Sequence, residues 1–177
     1  IITGWNTEFF DIPYICNRII NLFGEDELKR LSPWGSVRER EVYQLGRRQQ
    51  AYDIAGIASL DFMALYRKFT YTAQESYALN HIATVELGEQ KDGNPYETFS
   101  EWYQKDWQSF IEYNIQDVEI VDKLEDKMRL VELCLTMAYD AKVNYTDVLG
   151  SVKYWDILIY NYLRERNLVI PQKKEHK

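Results

Sequence analysis

The hydrophobic pattern changes period several times along the chain, and each change marks an element. Residues 1–6 run apolar and β-branched into a polar turn residue, which predicts a short buried strand. From Asp11 the period is helical: Ile12, Ile15, Ile19 and Leu22 share one stripe, Pro13 sits in the first turn and Gly24 ends it. A short charged helix is expected over residues 25–31, closed by Ser32-Pro33. Two strands, 37–44 and 49–55, join around Leu45-Gly46-Arg47-Arg48 as a hairpin, and its charge density predicts that it projects into solvent. Residues 57–60 read as a second core strand that runs into a helix over 61–69, apolar at Phe62, Leu65, Tyr66 and Phe69. A short helix over 76–83 and a loop over 91–95 follow.

The most regular stretch is 100–139. There Trp107, Phe110, Asn114, Asp117, Val121, Leu124, Met128, Val131 and Leu135 recur at steps of three and four, as one long helix or two in tandem. A last amphipathic helix over 151–166 leads through Leu168-Val169-Ile170-Pro171 into a basic tail. Without internal repeats, a few strands among more helices imply an α/β or α+β fold.

With 177 residues, 46% hydrophobic and 15% aromatic, the chain can bury one substantial core, which excludes a disordered tail. Its net charge of −7 excludes a polycation that coats nucleic acid. Locally the picture differs: Lys29, Arg30, Arg38, Arg40, Arg47 and Arg48 face only Glu39 and Glu41 within 29–48, leaving a net +4 there that suits phosphate contact or a charged, solvated hairpin tip. Residues 86–126 carry a net −9 and read as a solvated helix face. Cys16 and Cys134 both lie in apolar helical pattern, which predicts buried free thiols in a reducing, intracellular setting. No apolar run is long enough for a membrane span. The opening on Ile1, directly into a strand, is expected of a piece cut from a longer chain.

Two acids stand out. Asp117 falls on the apolar stripe of the long helix, where a carboxylate must be paired, protonated, reached by solvent or bound to a cation. Tyr113 lies one turn earlier on the same face, so a phenol and a carboxylate can be presented side by side. Asp11 follows a strand end, where ligand-binding groups gather in α/β folds, although Asp before Ile-Pro is also a good helix N-cap. His81 and His176 have no partners that suggest a triad, and the glycines form no phosphate loop.

Asn6-Thr7-Glu8-Phe9-Phe10-Asp11, within Gly-Trp-Asn…Phe-Asp-x-Pro-Tyr, and Tyr113-Asn114-Ile115-Gln116-Asp117-Val118 resemble the second and third exonuclease motifs of family B DNA polymerases. The hairpin, the Leu60-Asp61-Phe62-Met63-Ala64-Leu65-Tyr66 run and Ser76-Tyr77-Ala78-Leu79 follow in the family's order, with the flavour of the T4-like bacteriophage members in Lys29-Arg30-Leu31-Ser32-Pro33 and Trp155-Asp156. The resemblance implies a ribonuclease-H-like 3′–5′ proofreading exonuclease domain, N-terminally truncated, with a projecting hairpin and a helical C-terminal half. It would span residues 1–143, with 144–177 a helical linker toward a polymerase portion. Implied cofactors are Mg2+ or Mn2+ in a two-metal site; implied partners are single-stranded or primer-template DNA and the remainder of the polymerase, in the host cytoplasm and away from membranes.

Carried over by position, Asp117 and Asp11 would be metal ligands, Tyr113 would orient the attacking water, Asn6 and Phe10 would shape the DNA-end pocket, and Arg47 and Arg48 would meet DNA. The family's first motif, an Asp-x-Glu on an upstream strand, is expected to be missing: Asp117-Val118-Glu119 has that spelling but lies inside the third motif. The isolated chain is therefore expected to bind metal poorly, to hydrolyse little, and to self-associate through an uncovered strand edge. A non-catalytic nucleic-acid-binding module and a helical protein-interaction domain are the rival readings.

Overall fold

The computed structural model describes residues 1–44, 46–89 and 93–170, and divides into two compact units, Ile1–Leu130 and Val131–Lys177. In the first unit, β1 (Ile2–Gly4) is followed by a turn segment over residues 5–10 and then a helix, α1 (Asp11–Phe23). The helix has the predicted bounds but only half of the predicted stripe faces inward: Ile12 is buried and Ile19 packs on the core, whereas Ile15 and Leu22 are exposed because the covered face runs through Cys16 and Ile20. Ile12 and Cys16 are buried against Leu28 and Tyr52, with Ile19, Ile20, Leu31, Val37 and Ile54 packed around them. Gly24 ends the helix at φ +91°, with its N–H on the Ile20 carbonyl at 2.9 Å, a conformation that suits a residue lacking Cβ. The charged segment that follows splits into α2 (Glu25–Leu28) and a 3-10 turn (Lys29–Leu31).

β2 (Val37–Gln44) and β3 (Arg47–Ile54) form an antiparallel hairpin in continuous register from Val37↔Ile54 to Gln44↔Arg47. That register leaves a two-residue connection, so Arg47 and Arg48 belong to β3 rather than to the turn; Leu45 lies outside the described residues. β4 (Ser59–Asp61) returns to pair in parallel with β1, Ile2↔Ser59 through Gly4↔Asp61, beginning two residues and ending one residue later than the pattern placed it. Asp61 caps α3 (Phe62–Phe69), accepting from the Met63 and Ala64 N–H groups. The next helix, α4 (Leu79–Leu87), starts later than expected because the Ser76 hydroxyl takes the Ala78 N–H at 3.2 Å and holds the entry as a turn. Of the expected loop over 91–95, Lys91 and Asp92 lie outside the described residues.

The long regular stretch is broken twice. α5 (Phe99–Lys105) is capped by Thr98, α6 (Trp107–Met128) by Asp106, and Arg129, in the left-handed region at φ 52°, separates α6 from α7 (Leu130–Ala141). In the second unit a 3-10 turn (Tyr145–Leu149) precedes α8 (Ser151–Glu165). Asn161 Nδ2 donates to the Ala141 carbonyl at 3.1 Å, and buried Cys134, Ala138, Ala141 and Val148 form the small core there. Among the described residues, no helix is long and apolar enough to cross a membrane.

Candidate acidic centre at the carboxyl ends of the parallel strands

Because β1 and β4 run parallel, the segment leaving β1 and the helix leaving β4 emerge at the same end of the sheet, the end where ligand-binding groups collect in open α/β sheets. The segment leaving β1 is held at close quarters. A Cβ on Gly4 would lie 2.6 Å from Thr7 Cγ2, so glycine at position 4 lets the chain fold back over the strand without displacing Thr7. Trp5 anchors it on α3, with its ring 6.2 Å from Phe62 and 6.0 Å from Tyr66 and its Nε1 donating to the Tyr77 carbonyl at 3.0 Å. Asn6 takes the left-handed conformation at φ 62°, which asparagine tolerates better than bulkier residues.

Asp61 sits behind this segment, only 3% exposed. Its Oδ1 accepts from the Asn6 N–H at 3.1 Å and its Oδ2 from the Glu8 N–H at 3.1 Å, while Oδ1 also takes Met63 N–H at 2.9 Å and Ala64 N–H at 3.3 Å. Four amide hydrogens thus meet the buried charge, which is how a carboxylate is kept inside without a cation. The Glu8 side chain in turn pairs with Arg40 on β2, whose Nε reaches Asp53 Oδ1 at 2.8 Å. Burial works against the Arg40 charge, yet hydrogen bonds to Asp53 and Glu8 outweigh it and hold its pKa above the ordinary value.

Asp11 is the first residue of α1 and not its N-cap: Phe10 occupies the cap position and makes no side-chain cap bond. The reason is the wrapped segment itself, whose carbonyls of Asn6 and Thr7 already accept the N–H groups of Phe10 (3.1 Å) and Ile12 (3.0 Å). The Asp11 carboxyl reaches solvent, but partial burial and the negative charges of Asp61 and Asp117 push its pKa up, against a hydrogen bond from its own backbone N–H that pulls it down. Asp11 and Asp117, 106 positions apart in the chain, therefore share one electrostatic neighbourhood.

Asp117 is half-buried and not in a closed core as its stripe implied. The α6 side chains that are buried are Ile120 and Leu124, farther along, whereas Ile115 and Val118 on the turn around Asp117 are exposed. Tyr113 is set by an aromatic cluster: its ring stands edge-on to Trp102 at 4.9 Å and lies 6.1 Å from Phe99. Phe10 is 67% exposed beside the acids' segment, as an apolar surface open to a ligand. On the hairpin, Arg47 and Arg48 are both exposed, and Arg48 pairs with Glu41 across the ladder.

Among the described residues, no three His, Cys, Asp or Glu groups converge to hold a metal. The hard oxygen donors of Asp11 and Asp117 suit a divalent cation in kind but fall short in number. Sequence reasoning missed Asp61, Glu8 and Arg40. Asp61 was legible as a helix start, but its reach to residues 6–8 spans more than fifty positions and left no local signal.

Residues 1–82 match the family model described as DNA polymerase family B, exonuclease domain. Across 99% of its length the chain is 41% identical to the DNA-directed DNA polymerase of Escherichia phage RB69 and 37% identical to that of Enterobacteria phage T4. It is 27% identical over 97% of its length to a DNA polymerase of Paramecium bursaria Chlorella virus NY2A. The chain spans about a fifth of the length of these relatives, covering 19% and 20% of the two phage polymerases.

Proposed function

We propose that this chain, which is similar to the family B DNA polymerases in their exonuclease portion, forms part of a ribonuclease-H-like 3′–5′ proofreading exonuclease that hydrolyses mispaired nucleotides from DNA 3′ ends inside the infected host cell. The observation that carries this reading is the placement of Asp11 after the carboxyl end of β1, in the parallel pair with β4, where it feels the negative charge of Asp117 from a distant part of the chain. The negative charge of Asp117 adds to the cost of ionising Asp11, and a divalent ion would remove that cost. The β1–β4 pair is also a two-stranded parallel sheet, an arrangement that rarely stands alone and that further strands of a ribonuclease-H-like sheet would complete.

In this reading Asp11 and Asp117 would hold part of a two-metal Mg2+ or Mn2+ site, whose ions would activate water and stabilise the leaving oxygen. The remaining ligands come from the family's Asp-x-Glu motif, which these 177 residues do not supply. Tyr113, its ring fixed by Trp102 and Phe99, orients the attacking water through its hydroxyl. Asn6 and the exposed ring of Phe10 receive the terminal nucleotide, Phe10 by stacking. Arg47 and Arg48 on β3 contact phosphates. Residues 1–143 make up the exonuclease part and 144–177 lead toward a polymerase portion.

The test replaces the matching segment of the RB69 phage polymerase with this chain and follows loss of a 3′-labelled single strand in Mg2+. Cleavage is expected in the chimaera, with little or none from the isolated chain. Asp11→Ala and Asp117→Ala should each lower the rate by about a hundredfold or more, as loss of a metal ligand does. Undiminished cleavage in both variants would remove the nuclease reading and leave a nucleic-acid-binding module.

A further inference from the structure

We propose that Asp61 is the positioning residue of this centre, its two carboxylate oxygens clamping the segment that delivers Asn6, Phe10 and Asp11; the inference rests on the nuclease reading above. The division of labour between the oxygens is specific. Oδ1 serves α3 and Asn6 together, while Oδ2 serves Glu8 alone. Glu8 is the point from which the segment turns toward Asp11, since the next backbone bonds, Phe10 N–H to Asn6 and Ile12 N–H to Thr7, close the entry to α1. Asp61 is 3% exposed, and no other side chain is described as taking these two amides. Helix capping alone uses only the Met63 and Ala64 contacts. The bonds to residues 6 and 8 go beyond that need and run toward the acids.

This separation gives a clean variant. Asp61→Ala removes the cap, leaves four amides unmet and is at risk of not folding. Asp61→Asn keeps an oxygen where Oδ1 lies, so the cap and the Asn6 contact persist, but it turns an NH2 toward the Glu8 N–H and breaks that contact. In the isolated Asp61→Asn chain, hydrogen exchange at the Glu8 amide should be about tenfold faster while the Met63 and Ala64 amides stay protected, as expected for loss of one buried hydrogen bond. In the chimaera, the same substitution should raise the Mg2+ concentration for half-maximal cleavage by about tenfold, because Asp11 is displaced, and KM for the DNA end should rise with it, because Phe10 lies on the same segment. A merely structural Asp61 would lower the active fraction without moving the Mg2+ midpoint.

Unaltered Glu8 exchange, or accelerated exchange with an unmoved Mg2+ midpoint, overturns the proposal. Full cleavage in Asp11→Ala would instead defeat the nuclease reading, and the exchange at Glu8 would then decide by itself whether Asp61 holds the segment.

Discussion

At the scale of single residues, Asp11 is held at a disadvantage. Its carboxyl is pushed toward the protonated form by partial burial and by Asp61 and Asp117, so a group whose folded pKa is raised contributes most below its unfolded value and loses that contribution as pH rises through the folded one. At neutral pH its charge therefore works against the fold. Asp11→Asn should raise the thermal midpoint of the metal-free chain at pH 7 and leave it unchanged near pH 3; a midpoint lowered at pH 7 would show that Asp11 stabilises the fold rather than serving a site. The neighbours of Asp11 also explain why its place was misjudged in the sequence. Asp-Ile-Pro spells an N-cap, but the backbone of residues 6–10 had already taken that role through its own carbonyls, which a linear pattern cannot show. Cys16 illustrates the opposite case: its burial, read directly from helical periodicity, is complete, and burial pushes its thiol up to about 11.

Elements were legible where a local signal decided them. The bounds of α1 follow from its helical period and the Gly24 stop, and α3 from the spacing of Phe62, Leu65 and Tyr66, although periodicity misassigned Ile15 and Leu22 of α1, which are exposed. The start of β3 did not, since Arg47 reads as turn chemistry until the Gln44↔Arg47 pair shows how tight the connection is. Nor did the position of Asp117: steps of three and four describe which face a residue occupies, not which turns of that face are covered. The turn after β1 makes its own testable demand. Gly4→Ala would place a methyl 2.6 Å from Thr7 Cγ2, and overpacking of this kind costs ~2 kcal/mol, about 4–8 °C in a chain of this size. Adding Thr7→Ser, which deletes that methyl, should recover most of the loss in a calorimetric scan; no recovery would place the strain elsewhere.

For the first unit as a whole, the tie between α3, α4 and α6 is polar at its heart. Tyr66, fully buried, donates to Glu86 Oε1 at 2.8 Å and accepts from Gln74 Nε2 at 3.1 Å, and Glu86 Oε2 meets Lys127 Nζ at 3.1 Å. Burial first, and then Glu86, pushes the Tyr66 phenol up to about 12. Against an unfolded value of about 10, this stabilisation is complete below roughly pH 10 and disappears as pH climbs toward 12. Urea unfolding at pH 8 and pH 11 should show a steeper alkaline loss in the native chain than in Tyr66→Phe; parallel losses would show that the phenol is not what holds these helices. None of this network was visible along the chain, because its members are brought together by three helices.

The bridge from Glu8 to Arg40 has a mechanical meaning. Glu8 belongs to the stretch that presents Asp11, and Arg40 sits midway along β2 with a second grip on Asp53, so the hairpin is a lever whose short arm ends beside the acids. A load on the hairpin would be felt as torque at Asp11.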